Sequence, residues 1–177
     1  GAEVEFILDV TPFYAESGGQ VSDRGQITGP ELSVEIEEVF KPVENLFVHR
    51  GKVIKGVLKE YAPVVAQVDQ RRRLAICRNH SATHLLHRAL KEVLGNHVNQ
   101  AGSLVEPERL RFDFTHYSAL SQDELKKIED TVNRAVMANL KVEATETSLA
   151  EARSMGAAAL FGEKYGERVR VVKMGDF

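Results

Sequence analysis

Residues 70–94 read QRRRLAICRNHSATHLLHRALKEVL, and this pattern predicts one long helix that organises the second half of the chain. Apolar side chains recur every three or four positions, which is helical spacing, and Gly95 follows as a C-terminal stop. His80 and His84 are four positions apart, so both rings lie on one helical face. That spacing allows both imidazoles to bind one divalent metal ion, usually zinc when the ligands are nitrogen or sulfur.

The histidine pair by itself does not decide whether the chain has a metal site. Such pairs also arise by chance, and zinc normally takes three or four protein ligands. In favour of a site, the polar run Arg78–His84 interrupts an otherwise apolar helix, which is costly unless something uses it. Ser81 stands where a metalloprotease HExxH motif has glutamate, so peptide hydrolysis by that route is not expected. Cys77 is a further candidate ligand, but we favour it as core filler in the apolar stripe.

The first 69 residues read as short strands broken by glycine-rich turns, which favours a small β-barrel or a sandwich. The clearest alternation is in Leu32–Phe40, where Leu32, Val34, Ile36 and Phe40 are expected on one side. The other strand candidates are Glu3–Val10, Leu46–His49 and Val64–Val68.

Residues 70–177 read as a mixed α+β domain in which helices lie on an antiparallel sheet. A capping box at Ser121–Glu124 opens a second helix that runs to about Asn139, with Leu125 and Val136 expected on its buried side. The remaining predicted elements are a hairpin (99–105 and 110–114), a strand (141–147), a short helix (149–155) and a last strand (168–174).

Composition indicates an ordinary globular chain, and its net charge argues against binding nucleic acid by overall positive charge. Its 177 residues are 43% hydrophobic and 28% charged, and the net charge is −3. The single cysteine excludes an internal disulfide and fits a reducing cytoplasm. No apolar run approaches the length of a membrane span, and the N-terminus has no features of a secretory signal. Because the chain starts at Gly1 without a methionine, we expect it to be a piece of something longer.

Three further segments have both a functional and a structural interpretation. Glu16–Gln20 (ESGGQ) could expose backbone N–H groups to a ligand, or form a plain turn. Asn99–Ser103 could orient a substrate ester, or form an edge strand with one solvent face. The basic residues Arg71, Arg72, Arg73 and Arg88 could contact RNA phosphates, although charge pattern alone favours a solvated helix face.

Five segments in order resemble the editing region of the alanyl-tRNA synthetases. The segments are Thr11–Gln20 (TPFYAESGGQ), Arg78–Leu86 (RNHSATHLL), Gln100–Val105 (QAGSLV), Arg111–Phe114 (RFDF) and Leu160–Gly166 (LFGEKYG). The resemblance implies a small β-barrel with a glycine-rich loop over residues 1–69 and an HxxxH editing core over 70–177. It further implies that this two-layer core is shared with the threonyl-tRNA synthetase editing domains.

The resemblance also implies an activity. A synthetase pocket for alanine cannot exclude glycine or strongly reject serine, so a second site hydrolyses the ester of Ser-tRNA(Ala) or Gly-tRNA(Ala). By position, His80 and His84 resemble two zinc ligands, and Thr83 and Gln100 resemble residues that contact the misplaced amino acid. The loop at Gly18 and Gly19 is expected to line the same site. No residue is identified as a general base.

The chain departs from the family in one respect, since it stops at Phe177 before a Cys-x-x-x-His segment that supplies the other two zinc ligands in the family. We therefore expect this fragment to bind zinc weakly or not at all. The domain that ligates alanine to tRNA with ATP is absent as well. Two alternatives stay open: a free-standing editing deacylase of the same family, and a tRNA-binding module without activity.

Overall fold

The computed structural model describes residues 1–157 and 166–175. In chain order, its elements are β1 (Glu3–Ile7), β2 (Gly25–Gly29), β3 (Leu32–Phe40), β4 (Val48–Lys55), β5 (Val65–Val68), α1 (Gln70–Leu94), β6 (Gln100–Val105), β7 (Leu110–Phe114), α2 (Gln122–Met137), β8 (Val142–Ser148), α3 (Leu149–Ser154) and β9 (Arg168–Met174). The mixed α+β class predicted from the sequence is confirmed. The quoted segment Leu160–Gly166 falls almost wholly outside the described residues.

The first five strands form one antiparallel sheet in the order β1-β4-β3-β2-β5. The expected closed barrel is wrong: among the described residues, β1 pairs only with β4 and β5 pairs only with β2, so neither edge strand closes the sheet. The edge strands are short, with five and four residues, and loop residues complete the core instead of a further strand. Phe13 and Ala15 from the loop after β1 are 3% and 2% exposed in that core.

Strand β3 carries the centre of this core. Leu32, Val34 and Ile36 are buried as the alternation predicts, but the next buried residue is Val39 and not Phe40. The pairing with β4 shifts register between Ile36 and Glu38, as at a β-bulge. An extra residue reverses the alternation of side chains beyond it, so Val39 takes the inner position.

Helix α1 has the bounds that its sequence predicts. The carboxylate of Asp69 accepts a 3.0 Å hydrogen bond from the backbone N–H of Arg72, as an N-cap residue does. Ile76 is 1% exposed, whereas Leu74 is 55% exposed. Cys77 is also exposed, so the interpretation of this residue as core filler is wrong. The buried stripe of this part of the helix passes through Ile76, and Cys77 lies one position, or 100°, away from it.

Contacts between Cα atoms divide the chain into two units, and both α1 and the β6–β7 hairpin contribute to each of them. Unit 1 comprises Gly1–Ser81 and Ser103–Arg111, and unit 2 comprises Ala82–Gly102 and Phe112–Phe177. The domain boundary predicted at residues 69 and 70 stays a prediction.

Unit 2 has its own core around Ala89, Leu90, Val98 and Ile128. Helix α2 begins with the predicted capping box, in which Ser121 and Glu124 each bond the other's backbone N–H. Its buried side is narrower than predicted, because Leu125 and Val136 are 44% and 54% exposed. Strands β8 and β9 pair as a two-stranded sheet separate from β6–β7, so the described residues of this half hold two small sheets instead of one.

Candidate functional site

The glycine-rich loop forms a tight turn in unit 1. Ser17 and Gln20 exchange backbone hydrogen bonds of 3.2 and 3.0 Å across Gly18 and Gly19. Both glycines have positive φ, 58° and 79°, as in a type I′ turn. Glycine adopts these angles without the steric penalty that a Cβ brings. The sequence ESGGQ therefore folds locally into a turn whose ends are fixed.

Backbone bonds attach this turn to strand β6. The N–H of Val105 donates to the carbonyl oxygen of Gly19 at 2.7 Å, and the N–H of Val21 donates to that of Val105 at 3.1 Å. Gly19 lies so close to the strand that a Cβ built there would overlap the carbonyl oxygen of Ser103. Glycine is thus required at position 19 both by the positive φ and by the close approach of the strand.

A buried ion pair attaches the end of the loop to α1. Asp23 is 2% exposed, and its carboxylate pairs with the Arg73 guanidinium and accepts a 2.6 Å hydrogen bond from the N–H of Tyr14. Arg73 also donates to the carbonyl oxygen of Pro12 at 2.7 Å, and its bond with Asp23 raises its pKa above the ordinary value. Arg72 donates to the carbonyl oxygen of Ser22 at 3.4 Å. Two of the basic residues that are candidates for RNA contacts therefore stabilise the loop.

His80 of α1 contacts the side chain of Gln20. Its Nδ1 lies 2.6 Å from the amide Oε1 of Gln20, although 60 residues separate the two in the chain. Burial lowers the pKa of the His80 imidazole below its ordinary value of 6.5, which favours the neutral form of the ring. A neutral imidazole is the form that binds metal ions. The preceding residue, Asn79, holds the helix to the turn after β6 by donating to the carbonyl oxygen of Glu106 at 2.7 Å.

The other predicted residues of α1 lie in unit 2. Thr83 is 6% exposed, and His84 is exposed one helical turn after His80. His87 packs against the ring of Phe112 at a centroid distance of 5.1 Å, and burial is the main cause that lowers its pKa. Gln100, the first residue of β6, is half-buried.

The donor atoms for a metal are incomplete in this part of the chain. Within residues 1–157 and 166–175, no group of three or more His, Cys, Asp or Glu side chains is arranged to hold a metal ion. His80 and His84 fit as two members of a donor set, since one helix carries both rings and burial favours the neutral form of His80. They do not make a zinc site by themselves, because zinc takes three or four protein ligands.

Sequence reasoning did not identify the partners that orient these residues. Gln20 was recognised only as part of the glycine loop, and neither Asp23 nor Arg73 was expected to form a buried pair. Asp23 follows the turn closely and Arg73 lies in a basic run, so only their approach in the fold reveals the pair. Arg71 and Arg88 are exposed.

The comparisons with known proteins agree with one another. The family described as tRNA synthetases class II (A) matches residues 1–72. Over all 177 residues, the chain is 78% identical to the alanine–tRNA ligase of Pelotomaculum thermopropionicum and 67% identical to that of Desulforamulus reducens. The ligase of Acetivibrio thermocellus is 54% identical over the same 177 residues. The chain spans 20% of the length of these curated relatives. Its whole length is thus similar to one fifth of an alanine–tRNA ligase.

Proposed function

We propose that this chain is the editing region of an alanine–tRNA ligase and hydrolyses the ester of tRNA(Ala) mischarged with serine or glycine. The observation that carries the proposal is the similarity of all 177 residues to alanine–tRNA ligases, in a chain whose helix α1 presents His80 and His84 one turn apart. The whole protein would ligate alanine to tRNA(Ala) with ATP through its remaining domains, and would act in the cytoplasm. In the described residues, no helix is both long and apolar enough to cross a membrane.

The chain's own residues would bind and position the aminoacyl end of the tRNA. His80 and His84 would provide two ligands to zinc, with the remaining ligands from a Cys-x-x-x-His segment elsewhere in the whole protein. Zinc, when bound, would supply Lewis-acid polarisation of the ester or of the attacking water. Gln100, Gly18 and Gly19 stay candidates for substrate contacts. Residues 70–177 would then form the core that threonyl-tRNA synthetases also use for editing.

Thr83 would distinguish serine from glycine. Its hydroxyl can donate to and accept from the hydroxyl of a misplaced seryl group, and glycine has no such group. One neutral hydrogen bond contributes about 0.5–1.5 kcal/mol, which corresponds to about a two- to twelvefold change in rate. Thr83→Val keeps the shape of the side chain and removes the hydroxyl.

The test is a pair of deacylation rates measured on the full-length protein. Thr83→Val should slow hydrolysis of Ser-tRNA(Ala) by about two- to twelvefold relative to Gly-tRNA(Ala), as expected for the loss of one hydrogen bond. Thr131→Val is the matched control, because Thr131 on α2 is also 6% exposed. An unchanged ratio of the two rates in Thr83→Val would contradict the role of Thr83.

Zinc content and deacylation together separate the proposal from its alternatives. An editing region requires that the full-length protein hold zinc and hydrolyse Ser-tRNA(Ala). A protein that binds tRNA(Ala) but neither holds zinc nor hydrolyses the ester would be a binding module, in which the exposed Arg71 and Arg88 contact phosphates. A gene that encodes little beyond these residues, with deacylase activity intact, would indicate a free-standing editing enzyme.

A further inference from the structure

We propose that Gln20 is a positioning residue for His80: its amide oxygen keeps the proton on Nδ1, so that Nε2 carries the lone pair that binds the metal. The metal part of this inference rests on the proposed function, whereas the proton part rests on the contact alone. The contact joins Gln20 Oε1 and His80 Nδ1 at 2.6 Å.

The chemistry of the two atoms determines where the proton lies. An amide oxygen has lone pairs and no hydrogen, so it accepts a hydrogen bond and cannot donate one. His80 must therefore donate through an Nδ1–H group. In a neutral imidazole only one nitrogen carries hydrogen, which leaves the lone pair on Nε2. Histidines that bind metals are commonly fixed in this way, with the second ring nitrogen donating to an oxygen of the protein.

Gln20 is well suited to this role because backbone contacts hold the residue in place and an ion pair nearby anchors its loop. The turn at Gly18 and Gly19 closes on its N–H and carbonyl groups. Gln20 and Val105 also form a parallel bridge, which holds the residue beside β6. A short distance along the chain, the pair of Asp23 and Arg73 attaches the loop to the helix that carries His80. A ligand stays in one orientation only when the residue that supports it is itself held in place.

This arrangement explains why the loop contains two glycines without requiring that they contact a substrate. Gly18 and Gly19 allow a turn that places the side chain of Gln20 on the ring of His80. The ESGGQ motif and the HxxxH helix then act together, because the loop sets the tautomer of the first histidine.

The first experiment measures the tautomer in the metal-free 177-residue chain by long-range ¹H–¹⁵N correlation spectra of ¹⁵N-histidine-labelled protein. The wild type should show His80 protonated at Nδ1. Gln20→Leu should lose this single tautomer, and Gln20→Glu should retain it, because a carboxylate also accepts from Nδ1–H. The ring signals of His87, which packs against Phe112, serve as the internal control. A wild-type His80 protonated at Nε2 overturns the inference, whatever the variants do.

The second experiment measures zinc affinity of the full-length protein by competition with a chromophoric chelator. Gln20→Leu should weaken zinc binding by about 10- to 100-fold, as the loss of such supporting contacts does elsewhere, and Gln20→Glu should bind within a few fold of wild type. Gln26→Leu is the matched control, since Gln26 is exposed on β2. Equal affinity in Gln20→Leu and wild type overturns the positioning of the metal ligand.

The two experiments separate the failure of this inference from the failure of the proposed function. If the wild type shows the Nδ1–H tautomer but the full-length protein binds no zinc, the proposed metal site is wrong and Gln20 still sets the proton of His80. If the full-length protein binds zinc and His80 is protonated at Nε2, the metal site stands and the role of Gln20 is wrong. Should Gln20→Leu fail to fold, the wild-type tautomer and the Gln20→Glu affinity still decide.

Discussion

Gly18 and Gly19 are neighbours with similar backbone angles, yet alanine should have different effects at the two positions. Both residues have positive φ, 58° and 79°, so each alanine variant takes on the penalty of a left-handed conformation, about 1–2 kcal/mol. A Cβ at Gly18 would have no heavy atom within 4 Å. A Cβ at Gly19 would overlap the backbone carbonyl of Ser103, which cannot rotate away as a side chain can.

The size of the difference follows from the bonds that this overlap would break. To accommodate Gly19→Ala, the turn must move away from β6, which stretches the bonds from Val105 N–H to the Gly19 carbonyl at 2.7 Å and from Val21 N–H to the Val105 carbonyl at 3.1 Å. Each backbone hydrogen bond contributes about 0.5–1.5 kcal/mol net. We therefore expect Gly18→Ala to lower the free energy of unfolding by about 1–2 kcal/mol and Gly19→Ala by about 2–5 kcal/mol.

Urea unfolding followed by circular dichroism measures both variants against wild type, with the free energy of unfolding taken by linear extrapolation. Gly156→Ala provides a control outside the loop, because Gly156 also has positive φ (75°) and no heavy atom within 4 Å of its Cβ position. It should resemble Gly18→Ala. If Gly19→Ala and Gly18→Ala differ by less than about 0.5 kcal/mol, which is the usual scatter of surface substitutions, the close approach of the turn to β6 does not contribute and the reasoning fails.

Two further predictions concern His49 and the ion pair of Asp23 with Arg73, all in unit 1. Burial lowers the pKa of His49, which is 0% exposed, below its ordinary value of 6.5. The unfolded chain then binds a proton that the folded chain does not, so stability present above about pH 6.5 is lost as the pH falls, by at most about 1.4 kcal/mol per pH unit for this group. His49→Phe should reduce the fall in unfolding free energy between pH 7.5 and pH 5.5, and an unchanged fall would exclude His49 as a contributor. Arg73→Met should lower the free energy of unfolding by about 2–3 kcal/mol, below the usual 3–5 kcal/mol for a broken buried pair because Arg73 is 35% exposed. Arg71→Met should change it by less than about 0.5 kcal/mol because Arg71 is exposed, and equal effects of the two in urea unfolding would contradict the structural role of Arg73.

The long helix was predicted with correct bounds because local signals agree along it. Asp69 caps its start, helical spacing continues through α1, and Gly95 with φ 111° follows its end. Strand β2 (Gly25–Gly29) was missed, because its sequence GQITG has glycine at both ends and one fully buried residue, Ile27. This segment is a strand because it pairs with β3 on one side and β5 on the other, and the five residues themselves do not reveal that pairing.

The barrel was wrong for a related reason. Turn signals and alternation indicate where individual strands lie, but closure depends on whether the first and last strands of the sheet meet. That contact joins residues that are far apart in the chain, and local pattern carries no information about it. Similarly, the register shift after Ile36 that buries Val39 in place of Phe40 depends on how β3 pairs with β4.

In the candidate site, too, local spacing could be predicted from the sequence, whereas contacts between distant residues could not. Spacing identified His80 and His84 as a pair of possible ligands, because residues four apart on a helix share a face whatever surrounds them. The atom that orients His80 belongs to Gln20, 60 residues away, and it reaches the ring only because two glycines with positive φ close the turn before it. In the proposed arrangement, the glycine loop orients His80 through Gln20, while contact of Gly18 and Gly19 with a substrate stays a prediction. A variant that disturbs the turn, such as Gly19→Ala, should therefore alter the tautomer of His80 as well as stability, although it touches neither the ring nor its helix.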